Sequence, residues 1–183
     1  MAIDDAAPIL RDARVWLRAC TPDDAAALFA AHGDEAAHRF WSSPALRSVE
    51  ETHAYIKETL AMACGRVWAV TEDGGEALGR IGLFHVRQGV AEIGLILRRS
   101  AQGRGLMGAA VRLVCAHAFA QLGYHRIVAD IDPENAASIA LFERCGFQRE
   151  GLLRANWITH LGMRDTALYA LVRDDAAPRS GAP

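Results

Sequence analysis

One stretch constrains this chain more than any other. Ile93-Gly94-Leu95-Ile96-Leu97-Arg98-Arg99-Ser100-Ala101-Gln102-Gly103-Arg104-Gly105-Leu106-Met107-Gly108 runs an apolar strand through a glycine-rich turn into a long helix, about Leu106 to Leu122, that stops before Gly123. Gly103, Gly105 and Gly108 let backbone N–H groups approach an anion closely, and the first helical turn adds unpaired donors and a positive dipole end. A diphosphate fits such a cradle, although a tight turn packed for geometry alone has the same spelling. Two familiar phosphate loops are excluded or disfavoured. GxxxxGK[ST] is absent, Lys57 being the only lysine, and the Gly-x-Gly-x-x-Gly spacing follows antiparallel-looking strands rather than opening a βαβ unit.

The flanking pattern places this turn late in an α/β chain. Arg14 to Arg18 alternates as a strand. Thr21-Pro22-Asp23-Asp24 then supplies an N-cap, a first-turn proline and acidic residues for a helix closed by Gly33. Ser48 with Glu51 has capping-box spacing and opens a second helix on Tyr55, Ile56, Leu60 and Ala63. Val67–Val70, Ala77–Val86 and Val90–Leu97 read as a three-strand meander, its turns at Asp73-Gly74-Gly75 and Gln88-Gly89. After the long helix come a strand at Ile127–Ile131, a shorter helix ending at Gly146, and two final strands. The order is β-α-α-β-β-β-α-β-α-β-β.

Charge and cysteine usage narrow the classes. Twenty Lys+Arg against 22 Asp+Glu give a formal charge of −2, which argues against gripping nucleic acid or an anionic membrane. Cys20, Cys64, Cys115 and Cys145 stand singly, as buried thiols of a reducing cytosol do. The acidic start and the lack of 18 consecutive apolar residues point to a cytoplasmic protein. One domain over 10–174 is expected, with flexible tails at 1–9 and 175–183. No three of the seven histidines share metal-ligand spacing, so no metal is expected.

A second constellation is Asp132-Pro133-Glu134-Asn135-Ala136-Ala137-Ser138 through Leu141-Phe142-Glu143-Arg144-Cys145-Gly146-Phe147. Asp132 or Asn135 can cap this helix, Leu141 and Phe142 face a core, and Gly146 returns the chain to a strand. Together with the element order and Gln102-x-x-Gly105, Asn135-x-x-Ser138 and Phe142-Glu143-x-x-Gly146-Phe147 resemble the GNAT superfamily of acetyl-CoA-dependent N-acetyltransferases. Leu17-Arg18, Ala91-Glu92-Ile93-Gly94, Glu150-Gly151, Arg154 and Asp165 resemble its RimJ/RimL branch of ribosomal-protein N-terminal acetyltransferases. The likeness covers about Val15 to Arg173.

The resemblance implies a mixed, mostly antiparallel sheet with a splayed central parallel pair and about four flanking helices. In such enzymes the acetyl-pantetheine arm lies in the splay, so Ile93, Gly94, Leu95, Ile96 and Leu97 would hold it. The amides of Gln102, Gly103, Arg104, Gly105, Leu106, Met107 and Gly108 would hold the CoA diphosphate. Arg98, Arg99 and Arg104 either add charge there or form a solvated face. Asn135 would bond the arm, with Phe142 and Arg144 nearby. Glu92 is the candidate base, or else an edge carboxylate in an ion pair. Ser138 is the candidate acid, or else a polar first-turn residue. Phe142 stands where many members have an acidic tyrosine, and Trp157 where some RimL-like enzymes have glutamate. Met107 replaces the usual Gly or Ala and would narrow the cradle.

His38, Trp41, His85 and Trp157 are candidate acceptor contacts; His160 has similar standing, while His117 reads as a surface or interface residue and Trp16 and Trp68 as core. The implied reaction is direct attack of an amine on acetyl-CoA in a ternary complex. An α-amino group, with a pKa of about 7.7–8.0, needs only a modest base, unlike a lysine amine near about 10.4. A protein N-terminus is the leading acceptor. The rivals are a small-molecule amine (amino acid, polyamine, aminoglycoside) and a non-catalytic acyl-CoA-binding module. A monomer or homodimer is expected.

Overall fold

The computed structural model describes residues 7–62 and 65–176. Ala63, Cys64 and most of the two expected tails therefore lie outside the described residues. Eight strands form one sheet in the order β1-β2-β3-β4-β5-β6-β8-β7: β1 Leu10–Arg11, β2 Trp16–Ala19, β3 Gly65–Thr71, β4 Gly79–Arg87, β5 Val90–Leu97, β6 Arg126–Ile131, β7 Gln148–Thr159 and β8 Gly162–Val172. Every neighbouring pair is antiparallel except β5–β6. Among the described residues six α-helices accompany it: α1 Ala25–His32, α2 Glu35–His38, α3 Val49–Ala61, α4 Leu106–Gln121, α5 Ala136–Arg144 and the single turn α6 Arg173–Ala176. The mixed α/β architecture expected from the sequence is the one observed.

Period-2 alternation sorts the two faces of the sheet. In β3, Trp68 and Val70 point into a core shared with Ala110, Val111 and Val114 of α4. Val67 and Ala69 point the other way, toward Leu28 of α1 and Ile56 of α3. The sheet is thus covered on both sides. α3 begins where Ser48 Oγ accepts from Glu51 N at 3.2 Å, and the Glu51 carboxylate accepts from Arg47 N at 2.8 Å. α1 starts one turn late, because Pro22–Asp24 forms a 3₁₀ turn whose Asp24 carboxylate is held by Thr21 N at 2.9 Å and by Arg18.

Three sequence expectations change here. The strand Arg14–Arg18 is really β2 at 16–19, preceded by a two-residue β1, and Pro8 O accepts from Trp68 Nε1 at 2.8 Å. Trp16 is half-buried rather than core, because Arg11 lies over its ring at 4.5 Å. The short helix α2 was not anticipated; Asp34 caps it by accepting from Ala36 N at 2.9 Å. Among the described residues no helix is long and apolar enough to cross a membrane, and no cluster of His, Cys, Asp or Glu could hold a metal ion.

Candidate active site

The site forms where a ladder stops. β5 and β6 pair at Val90–Arg126, Ala91–Ile127 and Glu92–Val128 and at no later position. β5 nevertheless stays bonded to β4 as far as Leu97, and β6 to β8 as far as Ile131. Each strand is held by its outer neighbour while the inner edges part. Alternate residues of Ile93–Leu97 therefore present N–H and C=O groups to the gap without a ladder partner. A cleft of about 250 Å³ occupies the opening, walled by Glu92–Leu95 on one side and Asp130–Asp132 on the other. Asn135 at the start of α5, Ser138 and Phe142 within it, and Phe40–Ser42, Trp157 and Thr159 complete the lining. Across the rim, Arg164 grips Asp132 at 2.9 and 3.0 Å and Glu134 at 3.1 Å, and Arg39 reaches Glu134 at 2.7 Å. His160 N donates to Ser42 O at 3.2 Å, tying the β7–β8 turn to the 40–42 segment.

Beyond Leu97 the chain turns into α4. Gln102 Nε2 donates to Leu97 O at 3.1 Å, which fixes the turn. Gly103 and Gly105 have φ of 75° and 78°, values that L side chains rarely adopt, and a Cβ on Gly103 would meet nothing. No side chain caps α4, so the first-turn amides remain donors without an intrahelical partner. That is a cradle for an anion built from main chain alone. Gly108 is helical and a Cβ there would make ordinary contacts, so it is not needed for clearance. Leu106 and Met107 are buried in the core; Met107 does not narrow the cradle.

The other wall is acidic. Burial raises the Glu92 carboxyl above the ordinary glutamate range, and the charge of Asp130 raises it further. Asp130 is raised in turn by burial, against the opposing pull of the Trp157 indole N–H. Asp132 is lowered, its own burial being outweighed by Arg164 and by the Glu134 amide.

The family model described as an acetyltransferase (GNAT) domain matches residues 14–148. The chain belongs to the GNAT acetyltransferase family. It is therefore an acyltransferase, a transferase enzyme that moves acetyl groups. The N-acetyltransferase YoaA of Bacillus subtilis is 31% identical over 173 residues, 91% of this chain and 97% of YoaA. A GNAT-family acetyltransferase structure from Chromobacterium violaceum superposes with a TM-score of 0.85 at 29% identity, covering 93% of this chain and 89% of its own. The ribosomal L7/L12 N-acetyltransferase RimL, solved with coenzyme A, shares the fold with a TM-score of 0.81 at 21% identity, over 92% of this chain and 99% of RimL.

In this acetyltransferase the cleft gathers Glu92, Ile93, Gly94, Leu95, Asn135, Ser138, Phe142, Trp41 and Trp157 from the sequence-level candidates. Asn135 is the N-cap of α5: its Oδ1 accepts from Ser138 N at 3.1 Å, leaving its amide nitrogen without a bond among the described residues. Other candidates lie elsewhere. Ile96 is buried, and Leu97 continues β5 beyond the cleft wall. Arg144 is exposed on α5, outside the lining. His85 is exposed at the far end of β4, opposite Ala91, where the ladder is still closed. His38 is buried beneath the site, its Nδ1 donating to Ser43 O at 3.2 Å and its ring stacked on Trp41 at 5.3 Å. Arg98 and Arg99 are engaged by Glu76 and Asp34 at 2.7 and 3.3 Å, and Arg104 is paired with Glu72. His117 is half-buried, edge-on to Trp68.

Sequence reading missed Asp130, Arg164 and Thr166 on the cleft wall and Arg14 at the cradle, and gave Asp165, also on the wall, only a part in the family resemblance. Arg14 Nη1 stands 3.0 Å from where a Gly105 Cβ would be, and among the described residues no carboxylate pairs with it. Asp130 had a signal, since it is the one polar residue of 127–131, a run that ends next to the Asp132–Asn135 motif.

Proposed function

We propose that this acetyltransferase moves acetyl from acetyl-CoA to a primary amine, with a protein N-terminal α-amino group as the leading acceptor, in the manner of the RimJ/RimL branch. The observation that carries the reading is the end of the β5–β6 ladder at Glu92–Val128 while both strands run on. A slot with free main-chain groups on one edge suits an extended amide-bearing arm, and the uncapped turn at Gly103–Gly105 suits a diphosphate. When bound, acetyl-CoA supplies an activated acyl carbon and a sulfur leaving group.

The chain's own residues do the rest. The main chain of Ile93–Leu97 pairs with the arm, the amides of 103–108 hold the diphosphate, the Gln102 amide being withdrawn from that role because it donates to Arg99 O at 3.1 Å, and Arg14 adds a cation beside them. The side-chain amide of Asn135 donates to the arm. Glu92 takes the acceptor's proton; its raised pKa makes it a stronger base than an ordinary carboxylate. Ser138 lies on the lining of α5 and has a hydroxyl to offer the departing sulfur. Phe142 is buried edge-to-face on Phe147, 4.9 Å between centroids, and shapes the cleft without donating a proton. Trp41 and Trp157 wall the acceptor end. The outer edge of β7 is a sheet edge running past Trp157 and Thr159, along which an extended peptide can lie. Cys20 and Cys115 are buried free thiols, in keeping with a cytoplasmic setting.

A small amine is the second reading, favoured by four carboxylates on the lining (Glu92, Asp130, Asp132, Asp165) against the single arginine Arg164. Thiol release with a panel of peptides, free and blocked at the N-terminus, beside amino acids and polyamines separates the two. Acetylation of free-ended peptides alone supports the leading reading. Turnover with small amines alone replaces it, and CoA binding without release from any of them leaves a binding module.

A further inference from the structure

We propose that Asp130 is a second catalytic carboxylate: with Glu92 it receives the acceptor as an ammonium ion and shares the proton that the ammonium gives up, Trp157 being the positioning residue that keeps Asp130 the ionised partner. The proposal rests on the reading of Glu92 as base. Glu92 faces Val128 in the last rung of the ladder, and Asp130 is two residues further along the same strand. Strand periodicity puts both side chains on one face, and both line the cleft at the point where the strands part. Among the described residues neither carboxylate forms an ion pair, and Arg80 of β4, over the Trp41 ring at 5.5 Å, donates to His32 at 3.0 Å and to Tyr55 at 2.6 Å. Of the charged groups on the other elements around the cleft, Asp132 is occupied by Arg164, Arg164 by Asp132 and Glu134, and the Asp165 carboxylate accepts from Ala155 N at 2.8 Å. The lining segments 40–42, α5 and β7 contribute no charge.

Two carboxylates in one half-buried cleft cannot both ionise without cost unless a cation or a proton lies between them. An incoming ammonium supplies both in turn. As a cation it relieves the repulsion; on giving up a proton it leaves one neutral and one charged carboxyl, which is the favoured state of a close pair. The Trp157 indole can only donate, so it stabilises the ionised form of Asp130 and directs the proton to Glu92. The amine nitrogen then bonds to the acetyl carbon, the carbon–sulfur bond breaks, and the second nitrogen proton leaves with sulfur as the thiol. Ammonium plus thioester thus gives amide, thiol and one proton, and that proton is the one the pair holds until it passes to water.

Carboxyl ¹³C titration of the full chain, assigned with Glu92→Gln and Asp130→Asn, tests this alongside the pH profile of kcat/KM for the best acceptor of the panel. Asp130→Asn is expected to move the Glu92 titration and the acid limb of the profile together to lower pH. It should also cut kcat/KM at neutral pH by about tenfold, because the remaining carboxylate is a weaker base. Trp157→Phe moves the Asp130 titration to higher pH, and the acid limb with it. Asp130→Ser serves if the asparagine variant does not fold. A Glu92 titration indifferent to both Asp130 variants overturns the proposal, as does a slower enzyme whose acid limb has not moved. Coupled carboxyls in a protein that acetylates no amine of the panel defeat the acceptor reading and leave the pair standing. Uncoupled carboxyls in an active enzyme do the reverse.

Discussion

The two walls of the cleft are made of different material. On the proposed reading the donor side is main chain: a strand edge at Ile93–Leu97 and uncapped amides around Gly103–Leu106, with arginines 98, 99 and 104 already paired with surface carboxylates. The acceptor side is side chain: Glu92, Asp130 and Trp157, brought in from three strands. Main-chain recognition survives most substitutions that keep the backbone path, whereas side-chain recognition disappears with one atom. If the proposed roles hold, the difference teaches that donor binding depends on φ values and strand geometry, and that acceptor binding and proton removal depend on charge and burial.

Substitutions on the two walls should accordingly separate. Glu92→Gln is expected to lower kcat by about 10²-fold, the contribution of a positioned base, while calorimetric affinity for CoA stays unchanged. The same variant should be more stable. A carboxyl raised by burial favours folding below the ordinary glutamate range and loses that contribution as pH rises through its folded value. At pH 7 its removal therefore raises Tm, by about 2–4 °C for each kcal/mol relieved, while lowering activity. Next in size, Asn135→Ala should cost about tenfold in acetyl transfer, one hydrogen bond's worth. Because Asn135 also caps α5, melting should show a loss of about 1 kcal/mol in addition. A loss of stability with no loss of transfer would confine Asn135 to capping.

Gly105→Ala forces a side chain into the left-handed region at about 1–2 kcal/mol, and the turn responds by moving its amides. The expected result is a donor KM up to about tenfold higher with the acceptor KM unchanged. Smallest is Arg14→Ala, an exposed cation beside the cradle: a two- to fivefold rise in donor KM, roughly the worth of a surface charge, that fades at high salt. A donor KM moved by Glu92→Gln, or an acceptor KM moved by Gly105→Ala, would break the division between the walls.

That division also explains what could be read from the sequence. The cradle is contiguous, so its strand, glycines and helix start are spelled out in order, and β5 and the start of α4 fall where the pattern puts them. The Asn135 cap and the capping of α3 by Ser48 are local for the same reason. The acceptor wall is assembled at long range. Trp157 reaches Asp130 from β7 across the intervening β8, a sheet order that no local pattern encodes. His85 misled because a histidine near a strand end looks like a site residue, yet that end is the closed end of the ladder. His38 was placed in the right segment but on the wrong side of it. It is buried, lowered in pKa by desolvation, and supports Trp41 from beneath rather than facing the cleft.

The central claim is that the inner edge of β5 beyond Glu92 is unpaired until the donor lies along it. Amide hydrogen exchange across residues 90–108, with and without CoA, tests it most directly. Added CoA should slow exchange at the gap-facing amides of 93–97, whose neighbours are already bonded to β4, and at 103–108, and leave 90–92, already bonded to β6, unchanged. Gap-facing amides of 93–97 that are protected before CoA arrives, or protection that appears on CoA binding only outside those two segments, would contradict it.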